Sequence, residues 1–175
     1  MYLKYLGFKR VYVSVRDVDD LHYVELTDAV CINPLFVKPN SRVFRIVVQR
    51  GYPMLLECGG LQHCSRFLQN RMLKMEEHAE WIITPDDYMN PELTLKLHME
   101  YYKRSNCKEK LLGVVQAPWL IEHYREYFTG LAFPNDAPFN IIALREEYRH
   151  EFKWFHLLGA QFQEGWDSTD VVPKP

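Results

Sequence analysis

Glu57 and the Asp86-Asp87 pair are the acids set directly against strongly apolar runs, Met54-Leu55-Leu56 and Trp81-Ile82-Ile83. A carboxylate held there is partly desolvated, so its pKa rises and it can trade protons near neutral pH. Two carboxylates across one pocket also suit glycosidic chemistry. One attacks or stabilises the sugar C1, and the other handles the proton of the leaving group. Gln116 ends a third apolar run, Leu112-Gly113-Val114-Val115, and Gly59-Gly60 would let backbone approach a planar ligand closely. Turn chemistry alone accounts for Pro34, Pro134 and Asn135, since Pro and Asn are turn formers. It accounts poorly for Glu57 and Gln116. Asp86-Asp87 serve equally well as a cap or turn before Tyr88-Met89-Asn90, and Gly59-Gly60 as a tight strand-to-helix turn.

Other chemistries find less support. The cysteines are Cys31, Cys58, Cys64 and Cys107, and no C-x-x-C occurs. Cys58, His63 and Cys64 with a distant His would be needed for zinc, and ordinary thiols are the simpler expectation. Neither G-x-S-x-G, a P-loop nor G-x-G-x-x-G is present, which argues against a serine hydrolase and a nucleotide-dependent enzyme. No metal or cofactor is expected. Lys plus Arg number 21 against 23 for Asp plus Glu. This excludes a globally basic nucleic-acid coat and fits a small-base pocket better than a long backbone-tracking groove. Arg42, Arg45, Arg50, Arg66, Arg71 and Lys74 form the densest basic region. They read first as a solvated helix face and loop, and second as a rim that meets phosphates.

The elements that must position these groups alternate. Apolar runs rich in β-branched residues lie at 11–15, 29–33, 44–49, 54–57, 81–84, 111–116, 129–133 and 155–159. Most are apolar throughout, as strands buried on both faces are. Between several of them fall helical patterns. Leu61, Cys64, Leu68, Met72 and Met75 share one face. Asn90-Pro91-Glu92 is a helix start, with a cap, Pro at the first helical position and an early acid. Helices also fit 119–127 and 139–152. Strand–helix alternation predicts α/β architecture with a parallel sheet: either a doubly wound open sheet or a short, incomplete (β/α) barrel of TIM type, since a full barrel typically needs ~250 residues. In both, the strand carboxyl ends share one rim, where the polar groups would meet. The 175 residues, 47% hydrophobic, suit one domain over 1–170 with a frayed tail at 171–175. No run reaches the ~18–20 apolar residues of a membrane span. The first residues lack a signal-peptide pattern, so the expected location is cytoplasmic.

At these residues the sequence resembles a family. Leu56-Glu57-Cys58-Gly59-Gly60-Leu61-Gln62 is similar to the Asp-Ser-Gly-Gly-(Phe/Tyr)-Gln motif of the tRNA-guanine transglycosylases, whose relatives also modify guanine in DNA. Ile83-Thr84-Pro85-Asp86-Asp87 looks like the family strand ending in a base-reading acid. Leu112-Gly113-Val114-Val115-Gln116 resembles its Gly-Ile-Val-Gln-Gly strand. Gly130-Leu131-Ala132 resembles its Gly-Gly-Leu-Ala segment, and Phe155-His156-Leu157-Leu158-Gly159 its late Leu-Met-Gly strand. The fragments run in family order from 55 to 160.

The resemblance implies a (β/α)8 barrel and exchange of guanine for a 7-deazaguanine base in tRNA or DNA through a covalent glycosyl-enzyme. Glu57 would be the general acid/base toward the exchanged base. Asp86 or Asp87 would accept from the guanine edge, and Gln116 would donate to the base carbonyl. Gly130 and Leu131 would offer backbone polar groups, and Asp167 would be the nucleophile, with Asp170 as its alternate. The implied partners are the free base and the tRNA or DNA, with homo- or hetero-dimerisation open and no membrane. Glu at 57 carries its carboxylate one carbon further out than the family Asp. Cys58 replaces Ser, Ala117 replaces Gly, and the family's Cys/His zinc element has no counterpart. The alternative is a non-catalytic base- or nucleic-acid-binding partner subunit of the same fold.

Overall fold

The computed structural model describes residues 10–27, 29–58 and 65–158. Its strands are β1 (Val13–Val15), β2 (Val30–Ile32), β3 (Met54–Leu56), β4 (Trp81–Ile83), β5 (Leu111–Val114), β6 (Gly130–Pro134) and β7 (Trp154–Leu158). Between them lie α1 (Val24–Thr27), α2 (Arg42–Arg50), α3 (Arg66–Leu73), α4 (Pro91–Arg104), α5 (Leu120–Tyr124) and α6 (Ile141–Tyr148). Among the described residues all six strand pairings are parallel, and the order across the sheet is the order along the chain, β1 to β7. A doubly wound sheet reverses its strand order at a switch point. This order never reverses, so that alternative is set aside. The sheet instead curls into an incomplete parallel barrel.

Alternation along each strand explains why the runs are apolar throughout. Cys31, Leu55, Ile83, Leu112, Val114 and Ala132 form an inner core, joined by Tyr12, Trp81, Trp154 and Leu158. The intervening residues, among them Val30, Ile32, Met54, Leu56, Ile82 and Leu131, belong to a larger outer core with Val43, Val47, Met72 and Tyr101 from the helices. The inner strands β2 to β6 are therefore buried on both faces, whereas β1 and β7 at the sheet edges are only partly buried. Contacts across the concave side hold the curl at the strand amino ends. Trp81 stacks on Trp154 with ring centroids 5.0 Å apart, and Tyr12 meets His156 edge-on at 6.0 Å. Glu80 accepts from Tyr12 Oη at 2.9 Å and pairs with Arg10.

One expected strand is a helix. Residues 44–49 lie within α2, where buried Val43, Phe44 and Val47 share one face and Arg42, Arg45 and Gln49 lie on the other at helical spacing. Ser41 caps its start by accepting from the Phe44 amide, and Gly51 ends it in the left-handed conformation, φ 64°. β-branched content misleads at this segment, and capping decides it. The expected start of α4 is present: Asn90 Oδ1 accepts from the Leu93 amide at 3.1 Å, with Pro91 in the first turn.

Candidate functional site

The inward alternation continues past the strand ends. Glu57 lies two residues beyond inward Leu55, and Gln116 two beyond inward Val114, so both enter the mouth of the curl at the carboxyl rim. Asp86 follows β4 and is buried, at 6% exposure. Gln116 Nε2 donates to Asp86 Oδ2 at 2.6 Å. Glu57 hydrogen-bonds the buried Cys31 thiol and is close enough to Asp86 for its charge to act there. Glu57, Asp86 and Gln116 therefore come together from three neighbouring strands. Asp87 stands beside them and is anchored by its backbone: its amide donates to Thr94 Oγ1 and its carbonyl accepts from the same hydroxyl, both at 3.0 Å. Its carboxylate adds to the negative field on Asp86.

Electrostatics at this mouth favour the protonated acids. Burial raises Glu57, against a smaller opposing effect from the Cys31 hydrogen bond. Burial also lifts Asp86 from 3.8 to about 6. The Gln116 hydrogen bond opposes that rise, and the Glu57 and Asp87 charges add to it. An acid near 6 exchanges its proton close to neutrality, as a general acid or base must. Burial and the Glu57 carboxylate push the Cys31 thiol well up, so it stays protonated and donates.

Gln116 does more than touch Asp86. Its Oε1 accepts from the Met89 amide at 3.0 Å, so both ends of the amide are engaged. Met89 has φ 58°, a left-handed value costly for a residue with a side chain. Beside it Tyr88 Oη donates to Asp136 Oδ2 at 2.5 Å, tying the loop after β4 to the loop after β6.

Gly130 and Leu131 open β6, level with Leu112 and Gly113, and share no hydrogen bond with Glu57, Asp86 or Gln116 among the described residues. The Leu131 side chain is in the outer core. Gly130 is a packing position: a Cβ there would stand 2.3 Å from the Trp154 carbonyl oxygen. Gly59, Gly60, Asp167 and Asp170 lie outside the described residues. Cys31 and Cys107 are free, whereas Cys58 is disulfide-bonded, a departure from the expected set of ordinary thiols. Among the described residues no group of three or more His, Cys, Asp or Glu could hold a metal ion. None of their helices is long and apolar enough to cross a membrane. Arg42, Arg45, Arg50, Arg66 and Lys74 are exposed on and beside α2 and α3. Arg71 instead donates to the Pro34 carbonyl at 2.9 Å.

Cys31 and Met89 were not legible as site residues. Cys31 reads as one more apolar strand residue until the sheet register sets it beneath Glu57. Compared with known protein families, characterised proteins and solved structures, the chain has no match.

Proposed function

We propose that this chain is a short, TIM-type barrel protein of the transglycosylase kind, working on a purine-type base in tRNA or DNA in the cytoplasm. The observation that carries the proposal is the meeting of Glu57, Asp86 and Gln116 at the barrel mouth, with Gln116 hydrogen-bonded to Asp86 and burial raising both carboxyls. Base exchange needs a proton delivered to a departing base and withdrawn from an arriving one. A buried carboxyl whose pKa is raised by desolvation is suited to both. In this reading Glu57 moves the proton and Asp86 accepts from the N–H edge of the base. Asp167, supplied from beyond β7, attacks C1′.

The second reading is a base-binding partner without chemistry. Gln116 favours it: an amide already engaged by Asp86 and Met89 must give up a bond before it can serve a base carbonyl.

A labelled-guanine exchange assay on tRNA and on DNA tests the first reading. E57Q should lower exchange by about 10²–10⁴-fold, since the amide fills the site but cannot shuttle a proton. D167N should abolish a covalent adduct on a denaturing gel. A wild-type protein that exchanges no guanine and forms no adduct on either nucleic acid rules out the enzyme. Measurable affinity for free 7-deazaguanine would then favour the partner.

A further inference from the structure

Beside the carboxylate mouth, the loops after β4 and β6 line an open cleft of about 240 Å³, bordered in part by Tyr88, Met89, Gln116, Pro134, Asp136 and Pro138. We propose that this cleft is a separate subsite for one uncharged planar heterocycle with N–H donors, the base beside the one exchanged. In naming that base the proposal rests on the base-exchange reading; the cleft's preference for such a ring does not.

Size comes first. Pockets for drug-sized ligands run about 300–1,000 Å³, so this one takes a single ring system. The walls come next. A tyrosine ring and three prolines, Pro91, Pro134 and Pro138, give apolar surface, and stacking on an aromatic side chain is the sequence-tolerant way to hold a base. Tyr88 and Met89 are 40% and 76% exposed, so the platform is open to an incoming ring. Charge decides the class. Asp136 is the charged residue in the lining, and no Lys or Arg joins it. A phosphate or other anion is therefore repelled, whereas an amino or ring N–H finds an acceptor. Tyr88 Oη occupies Asp136 Oδ2. Oδ1 has no partner among the described residues.

Backbone strain fits the same assignment. Met89 takes its left-handed conformation in the turn closed by the Asn90 amide on the Asp87 carbonyl, Gln116 accepts its amide proton, and the same glutamine donates to Asp86. Strain of this kind gathers at ligand sites, where the surroundings over-determine it. One amide thus forms the wall between cleft and mouth, as neighbouring bases on one strand would require.

The test titrates the whole protein with 9-methyladenine, whose amino group donates, followed by NMR. Caffeine, which has no N–H, and inorganic phosphate are the comparison probes. 9-Methyladenine should bind saturably, and caffeine about tenfold or more weaker. D136A should weaken binding by about tenfold, the loss expected when a hydrogen bond to a charged group goes. Y88A should weaken it by about fivefold or more, through lost stacking. Both positions are exposed, so neither change threatens the fold. D86N should leave this binding in place. Equal binding by D136A and wild type, displacement by phosphate, or loss in D86N instead of D136A would each overturn the subsite. Failure of guanine exchange with cleft binding retained would count against the catalytic reading alone.

Discussion

Asp86 shows what the site costs the protein. Its folded pKa, about 6, lies above the ordinary 3.8, so the folded chain holds this proton more tightly than the unfolded one. Stability from this group is greatest below about pH 3.8, falls as pH rises toward 6, and is level above that. The gap corresponds to about 3 kcal/mol at neutral pH. D86N, which keeps an acceptor for Gln116, should therefore raise the stability measured by urea unfolding at pH 7.5 by up to about that amount. The gain should vanish near pH 3.5; a constant gain across the range would mean that burial of the charge is not its source. Glu57 and Gln116 were legible because neither is a turn former, yet both follow apolar runs. Cys31, the twist at Met89 and the double use of Gln116 were not, since each depends on register or loop geometry that one-dimensional spacing does not carry.

At the scale of elements, α4 carries an uncompensated group. His98 is fully buried, and neither ring nitrogen has a hydrogen-bond partner. Its ring packs against Tyr124 and Phe128, with centroids 5.2 and 5.7 Å away. Burial lowers its pKa from 6.5 to about 3. The folded protein thus refuses a proton that the unfolded chain accepts, and stability present above pH 6.5 is lost as pH falls toward 3. H98F should remove two unpaired polar atoms, stabilise the protein by about 1–3 kcal/mol at pH 7, and flatten the acid side of its stability profile. Unchanged acid sensitivity in H98F would place the loss elsewhere. Elements with strong end signals were the legible ones: α4 announces itself through Asn90-Pro91, and β2 to β6 through short apolar runs before polar rims. Residues 44–49 misled because Phe44, Ile46, Val47 and Val48 are as common in strands as in this helix. Only Ser41 and Gly51 mark the ends that settle it.

For the whole molecule, the parallel sheet was legible, and its sequential winding was not, because strand order leaves no mark on residue spacing. The contacts that draw the curl together, Trp81 on Trp154 and Tyr12 on His156, join β4 to β7 and β1 to β7, far apart along the chain. They carry a high loop-closure cost and belong late in assembly. W154A should cost about 3 kcal/mol. That loss should appear as an unfolding rate up by about 100-fold with refolding nearly unchanged; a slowed refolding limb in stopped-flow experiments would put the tryptophan pair in the nucleus instead. Sequential winding also bears on synthesis. Since each described strand pairs with its neighbours in sequence, every described strand after β1 finds its earlier partner already made as the nascent chain leaves the ribosome. The described sheet can therefore grow from β1 toward β7 in the direction of translation, and the aromatic closure forms when β7 arrives.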